Sequence, residues 1–237
     1  MSQQTPPPFD TRFLHPRFWG IWIGLFILWP LAFLPWSIQR VLGIGLGDAF
    51  WLLGKRRRQD TQTNLRLCFP EYSDDERRHM SREVFRQAGM GIFESLSAWY
   101  SPKRFERNIT ISGLHHLVEQ QQAGKSVLLL GAHYTSLDLA GLLASKFFAI
   151  DTVYRPQNNP LLEWVICRAR LPIYGEQIDH DDMRKLVRCL KNKHVVWYTP
   201  DQDFGLKQGV MAPFFGVPAA TVTAQRRLCK IDQSAVM

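Results

Sequence analysis

The sequence predicts an α/β protein: a mixed sheet flanked by helices, carried behind an N-terminal membrane-anchor helix. Three observations lead there. From Ile109 onward, short apolar runs alternate with stretches of helical period, the pattern of strands joined by helices. Phe18 to Leu34, FWGIWIGLFILWPLAFL, is a 17-residue run without a charge. And three apolar runs, VLLLGA, TVY and VVWYTP, each end on a polar residue where an α/β sheet would present its ligand-binding edge.

The anchor comes first in the chain. At about 1.5 Å per residue the run nearly covers a hydrocarbon core of roughly 30 Å. Trp19, Trp22, Trp29 and Trp36 supply interfacial aromatics, while Pro30 and Pro35 would kink or end the helix. A cleaved signal peptide and a buried core helix are the rival readings; the first lacks a small-x-small cleavage site. Arg12 and Arg17 precede the run, and Arg40 and Lys55-Arg56-Arg57-Arg58 follow it, so the positive-inside bias places the body in the cytoplasm. Trp36 to Gly54 reads as a second helix lying in the interface, with the Lys-Arg run at headgroup level or simply solvated.

Ser73-Asp74-Asp75-Glu76 has capping-box spacing, and Met80, Val84, Ala88, Ile92, Leu96 and Trp99 continue it as one long helix to about Tyr100. Beyond it we expect strands at ITISG (109–113), 127–130, 151–154 and 195–198. Helices are expected at 115–123, 136–148, 160–170 and 181–191, the last with Met183, Leu186, Val187 and Leu190 facing inward. The domains expected are a tail at 1–17, the anchor and interfacial helix at 18–54, and a body at 55–237.

Composition bounds function. The net charge of +8 predicts an acidic partner: nucleic acid, anionic lipid, a phosphorylated substrate or an acidic protein. The basic run adjoins an anchor and no nucleic-acid reading motif is present, which leaves nucleic acid the weakest of these. Four scattered cysteines, with no C-x-x-C pair, argue against a zinc site or a disulfide framework. No G-x-S-x-G elbow, G-x-G-x-x-G or phosphate-cradling G-x-x-x-x-G-K-[ST] loop occurs. The clusters His115-His116 and Asp179-His180-Asp181-Asp182 lack convincing metal spacing, so no metal and no cofactor is expected.

What remains is the strand ends: His133, Arg155, and Asp201 with Asp203 behind it. A base, a cation and a carboxylate at equivalent positions define one candidate site. His133 and Asp138 are five residues apart, which on a continuous helix leaves them about 140° apart. If His133 lies in the turn before the helix, the two side chains can meet, the carboxylate fixing the imidazole tautomer. A histidine cap beside an ordinary aspartate is the plainer alternative.

GAHYTSLD at 131–138 resembles the acyltransferase signature of the lysophospholipid acyltransferase superfamily. HPRFW (15–19), NLRLCFPE (64–71), YRPQNNPLLEW (154–164), VVWYTPDQDFG (195–205) and PFFGVPAAT (213–221) resemble the late acyltransferases of lipid A biosynthesis, with YRP closest to the lauroyltransferase branch. The resemblance implies transfer of a fatty acyl chain from acyl carrier protein to a Kdo-bearing, phosphorylated lipid A precursor at the inner membrane. It implies His133 as general base with Asp138 as partner, and Arg155, Asp201, Tyr154, Asn159 and Asp203 as substrate-binding residues. A glycerophospholipid acyltransferase on the same machinery is the near alternative. Relatives continue beyond SAVM (234–237) into a further strand and helices, so the C-terminal part is expected to be missing and a sheet edge bare; an inactive, lipid-binding remnant is the other alternative.

Overall fold

The computed structural model describes residues 7–105, 109–202, 205 and 209–237. The N-terminal half is helical: α1 Trp19–Leu31, α2 Trp36–Leu53, α3 Lys55–Cys68 and α4 Asp74–Tyr100. The capping box at Ser73 and Glu76 starts α4, satisfying amide groups that the helix leaves without partners. α2 crosses α4 at glycines: a Cβ on Gly89 would lie 2.2 Å from the Gly43 carbonyl oxygen, so only glycine permits the approach. Asp48 of α2 accepts from Arg82 and Arg86 of α4 and locks the crossing. Gln39 plugs the corner between α1 and α2. Its buried amide donates to the carbonyls of Leu31, Ala32 and Leu34 at 2.9–3.0 Å, and its own oxygen accepts from Ser97 at 2.8 Å.

The second half is α5 Leu114–Gln122, β1 Val127–Leu130, α6 Leu137–Ala144, β2 Asp151–Tyr154, α7 Pro160–Arg170, β3 Gln177–Asp179, α8 Met183–Lys191, β4 Val195–Tyr198, β5 Gly209–Phe214, β6 Val217–Val222, α9 Ala224–Asp232 and β7 Ala235–Val236. The sheet order is β3-β2-β4-β1-β7, with every pairing parallel. Its centre is dry: Val127, Leu128, Val195, Val196 and Ile178 are buried under α8 and α5, as strands covered on both faces must be. β5 and β6 form a separate antiparallel hairpin.

Several expectations need correcting. The main sheet is wholly parallel rather than mixed. ITISG forms no strand, and α5 follows directly from a turn at Gly113. Met183 is exposed, because Asp182 caps α8 and leaves Met183 in its first turn, while Leu186 and Leu190 reach the core. The 17-residue apolar run is divided: α1 holds 13 residues, about 20 Å of helix, and ends just past Pro30. Among the described residues no helix is long and apolar enough to cross a membrane. Within the stretch expected as a tail, Phe13 packs with Leu161 and Val165 of α7. Phe9 and Phe13 pack edge-on or tilted against Trp164 of α7, whose indole donates to the Pro7 carbonyl at 3.0 Å. On the β1 side the sheet ends on the two-residue strand β7, paired with β1 and forming the edge.

Candidate active site

The strand order decides which side chains meet. β4 lies between β2 and β1, so the residues following those three strands emerge side by side at spacings of about 4.8 Å. They are Arg155 after β2, Asp201 after β4 and His133 after β1. Gly91 of α4 lets the His133 loop sit close, since a Cβ there would lie 2.7 Å from the Thr135 carbonyl oxygen.

Asp201 holds His133 twice. The His133 amide donates to Oδ2 at 2.7 Å, and Nδ1 lies 2.6 Å from Oδ1. A carboxylate accepts only, so Nδ1 carries the proton and Nε2 keeps its lone pair for a substrate. Partial burial pushes the Asp201 carboxyl up, but the His133 amide and imidazole outweigh it and hold it below the usual carboxylate range.

Asp138 does not meet His133. It is buried in the first turn of α6, where Arg170, the last residue of α7, donates to it through Nε at 2.8 Å, with Nη2 also at 2.8 Å. A forked guanidinium is a stronger partner for a carboxylate than a neutral imidazole, and Asp201 stands one strand away from His133. Tyr174, buried beside this pair, has its hydroxyl pushed above the ordinary tyrosine range by burial and by the Asp138 charge.

His133, Arg155 and Arg170 line one cleft of 360 Å³ with Tyr154, Trp197 and Thr199. Arg155 is exposed, and among the described residues its guanidinium makes a long 3.4 Å approach to Asn158. Tyr154 also lines the cleft, but its hydroxyl is spent on Glu163. Asn159 caps α7 by accepting from the Leu161 and Leu162 amides, and it does not line the cleft. Asp203 lies outside the described residues. Sequence reading missed Arg170 as a site residue: a basic residue in a helix's last turn looks like ordinary dipole compensation. Away from this edge, Asp179, His180 and Asp181 lie together, as do Asp151, Cys189 and His194. In the latter, His194 Nδ1 is already 2.7 Å from Asp151 Oδ2.

A parallel sheet whose carboxyl edge brings a histidine–carboxylate pair and two arginines to one cleft is the framework of an α/β enzyme. A family model described as bacterial lipid A biosynthesis acyltransferase matches residues 6–237. The chain belongs to that family and is an acyltransferase of lipid A biosynthesis. The lipid A biosynthesis lauroyltransferase of Escherichia coli (strain K12) is 37% identical over 228 residues, 95% of this chain and 74% of that protein. The palmitoleoyltransferase of the same strain is 36% identical over 231 residues, 97% and 76%. Its myristoyltransferase is 29% identical over 235 residues, 98% and 72%. The family is thereby fixed, and the acyl chain is not.

Proposed function

We propose that this chain transfers a lauroyl group from acyl carrier protein to a hydroxyl on an acyl chain of the Kdo-bearing, tetra-acylated lipid A precursor. His133 is the general base. Nε2 takes the acceptor's hydroxyl proton as the oxygen attacks the thioester carbonyl; the C–O bond forms, the C–S bond breaks, and the proton passes from Nε2 to the departing thiolate. Asp201 holds the tautomer and the imidazolium. Arg155 meets an acceptor phosphate, and Arg170 with Asp138 sets the wall of the cleft. The observation that carries this reading is the double attachment of His133 to Asp201 at the mouth of a cleft lined by two arginines.

The reaction takes place at the cytoplasmic face of the inner membrane. Trp19, Ile23, Phe26, Ile27 and Trp29 of α1 are exposed, which suits burial in lipid, and the basic start of α3 suits anionic headgroups. The lauroyl choice rests on the lauroyltransferase relative and on the YRP tripeptide at 154–156.

The test is acyl transfer in membranes containing the 237-residue chain or its His133→Ala variant. Lauroyl-, myristoyl- and palmitoleoyl-carrier protein are offered separately. Lauroyl transfer that disappears in the variant supports the reading; equal transfer from both sinks the role of His133. A preference for another donor leaves the chemistry and replaces the chain.

A further inference from the structure

Arg155 is placed by a side chain that does not itself line the cleft. Glu163 stands one turn inside α7, and its carboxylate accepts three bonds. Oε1 takes the Tyr154 hydroxyl and the Cys167 thiol, each at 2.9 Å, and Oε2 takes the Gln157 amide at 2.7 Å. Tyr154 and Gln157 bracket Arg155, so the chain is pinned on both sides of it. Pro156 stiffens the segment between, and the Asn159 cap fixes where it enters α7. Among the described residues the guanidinium makes only the long contact to Asn158, which leaves donors for a ligand.

The chemistry of the clamp requires an anion. Three donors converge on two oxygens, and only a carboxylate accepts at both. Burial and the Glu163 charge push the Cys167 thiol up to about 11, so at neutral pH it keeps the proton it donates. A glutamine at 163 would turn an N–H₂ group toward the Gln157 amide or toward the Tyr154 hydroxyl and Cys167 thiol, so one side of the clamp would face donor to donor.

We propose that Glu163 is a positioning residue that fixes the Tyr154–Gln157 turn, so that Arg155 is held in the cleft with His133 to receive the anionic group of the acceptor. The proposal rests on the reading of Arg155 as the residue that meets that group.

The experiment is a double-mutant cycle in membranes, varying the phosphorylated acceptor at saturating acyl-carrier protein. Glu163→Gln is expected to raise acceptor KM about 10-fold, with kcat changed less than about 2-fold. Arg155→Ala raises KM at least as much. In the Arg155→Ala background, Glu163→Gln adds nothing further, because the group it positions is gone. Tyr154→Phe, which removes one donor and spares the carboxylate, should show a smaller KM rise that also vanishes in that background. It carries the test if Glu163→Gln does not fold. A loss of kcat that adds in full to Arg155→Ala would show Glu163 to be structural and overturn the proposal. A KM rise in Arg155→Ala with none in Glu163→Gln overturns the proposal and keeps Arg155 as the anion-binding group. An unchanged KM in Arg155→Ala overturns both.

Discussion

Two carboxylate pairs, one with a histidine and one with an arginine, flank the same loop and have opposite characters. In His133–Asp201 the side chains are 39% and 36% exposed; in Asp138–Arg170 they are 11% and 18% exposed. A pair open to water can exchange a proton and accept a substrate at modest cost, and its contribution to folding is small. A buried pair cannot lose one partner without stranding the other charge, so it serves shape. Spacing left the pairing of His133 with Asp138 open, and the family resemblance assigned the carboxylate of the buried pair to the histidine of the open one.

The widest separation is expected from His133→Ala. It should cut acyl transfer by about 10³-fold, within the range of general-base loss, while leaving the melting temperature unchanged. Next is Asp138→Ala, which leaves Arg170 buried without its partner and should cost about 3 kcal/mol. For a chain of this size that is a fall of roughly 6–12 °C in Tm, read by a thermal melt. A variant that kept its Tm and lost transfer would reverse the roles given to the two pairs. Asp201→Asn comes third: about 10²-fold lower kcat with little change in Tm, because the amide can still accept from the His133 backbone but no longer stabilises an imidazolium. Fourth, Gly91→Ala pushes on the His133 loop and should cost about 1–2 kcal/mol, measured by denaturant unfolding.

The smallest effect is in pH. The folded pKa of Asp201 lies below its unfolded value near 3.9, so the stability contributed by its pair is fully present above that value. That contribution disappears as the pH falls through the lowered folded value. Unfolding curves of the parent and of Asp201→Asn should therefore keep a constant separation at neutral pH and converge only in strong acid. Convergence already near pH 6 would mean that some other group holds His133.

How far the sequence could be read follows from what is local. β1, β2 and β4 were legible as apolar runs bounded by turns, and α4 from its capping box and stripe. Gln177–Asp179 was not: three residues give no period to read, and this strand is defined by its pairing with β2. α3 was hidden by its own composition, since KRRRQDTQTNLRLC shows a charge run before it shows a helix. In the site, the residue types at the strand ends were legible and their partners were not. Arg170 reaches Asp138 from 32 positions away, and Asp201 reaches His133 from 68. Such contacts are set by strand order, which no single segment encodes.

That order has a consequence for the sequence of events at the ribosome. β1 and β2 are not bonded to each other; they are joined through β4, whose residues 195–198 are made more than forty positions after β2 is complete. The helical layer is fully synthesised by residue 100 and can pack while the sheet is still in pieces. His133 and Arg155 leave the ribosome early but acquire their neighbours late, so a nascent chain carries its catalytic side chains well before it is competent to react.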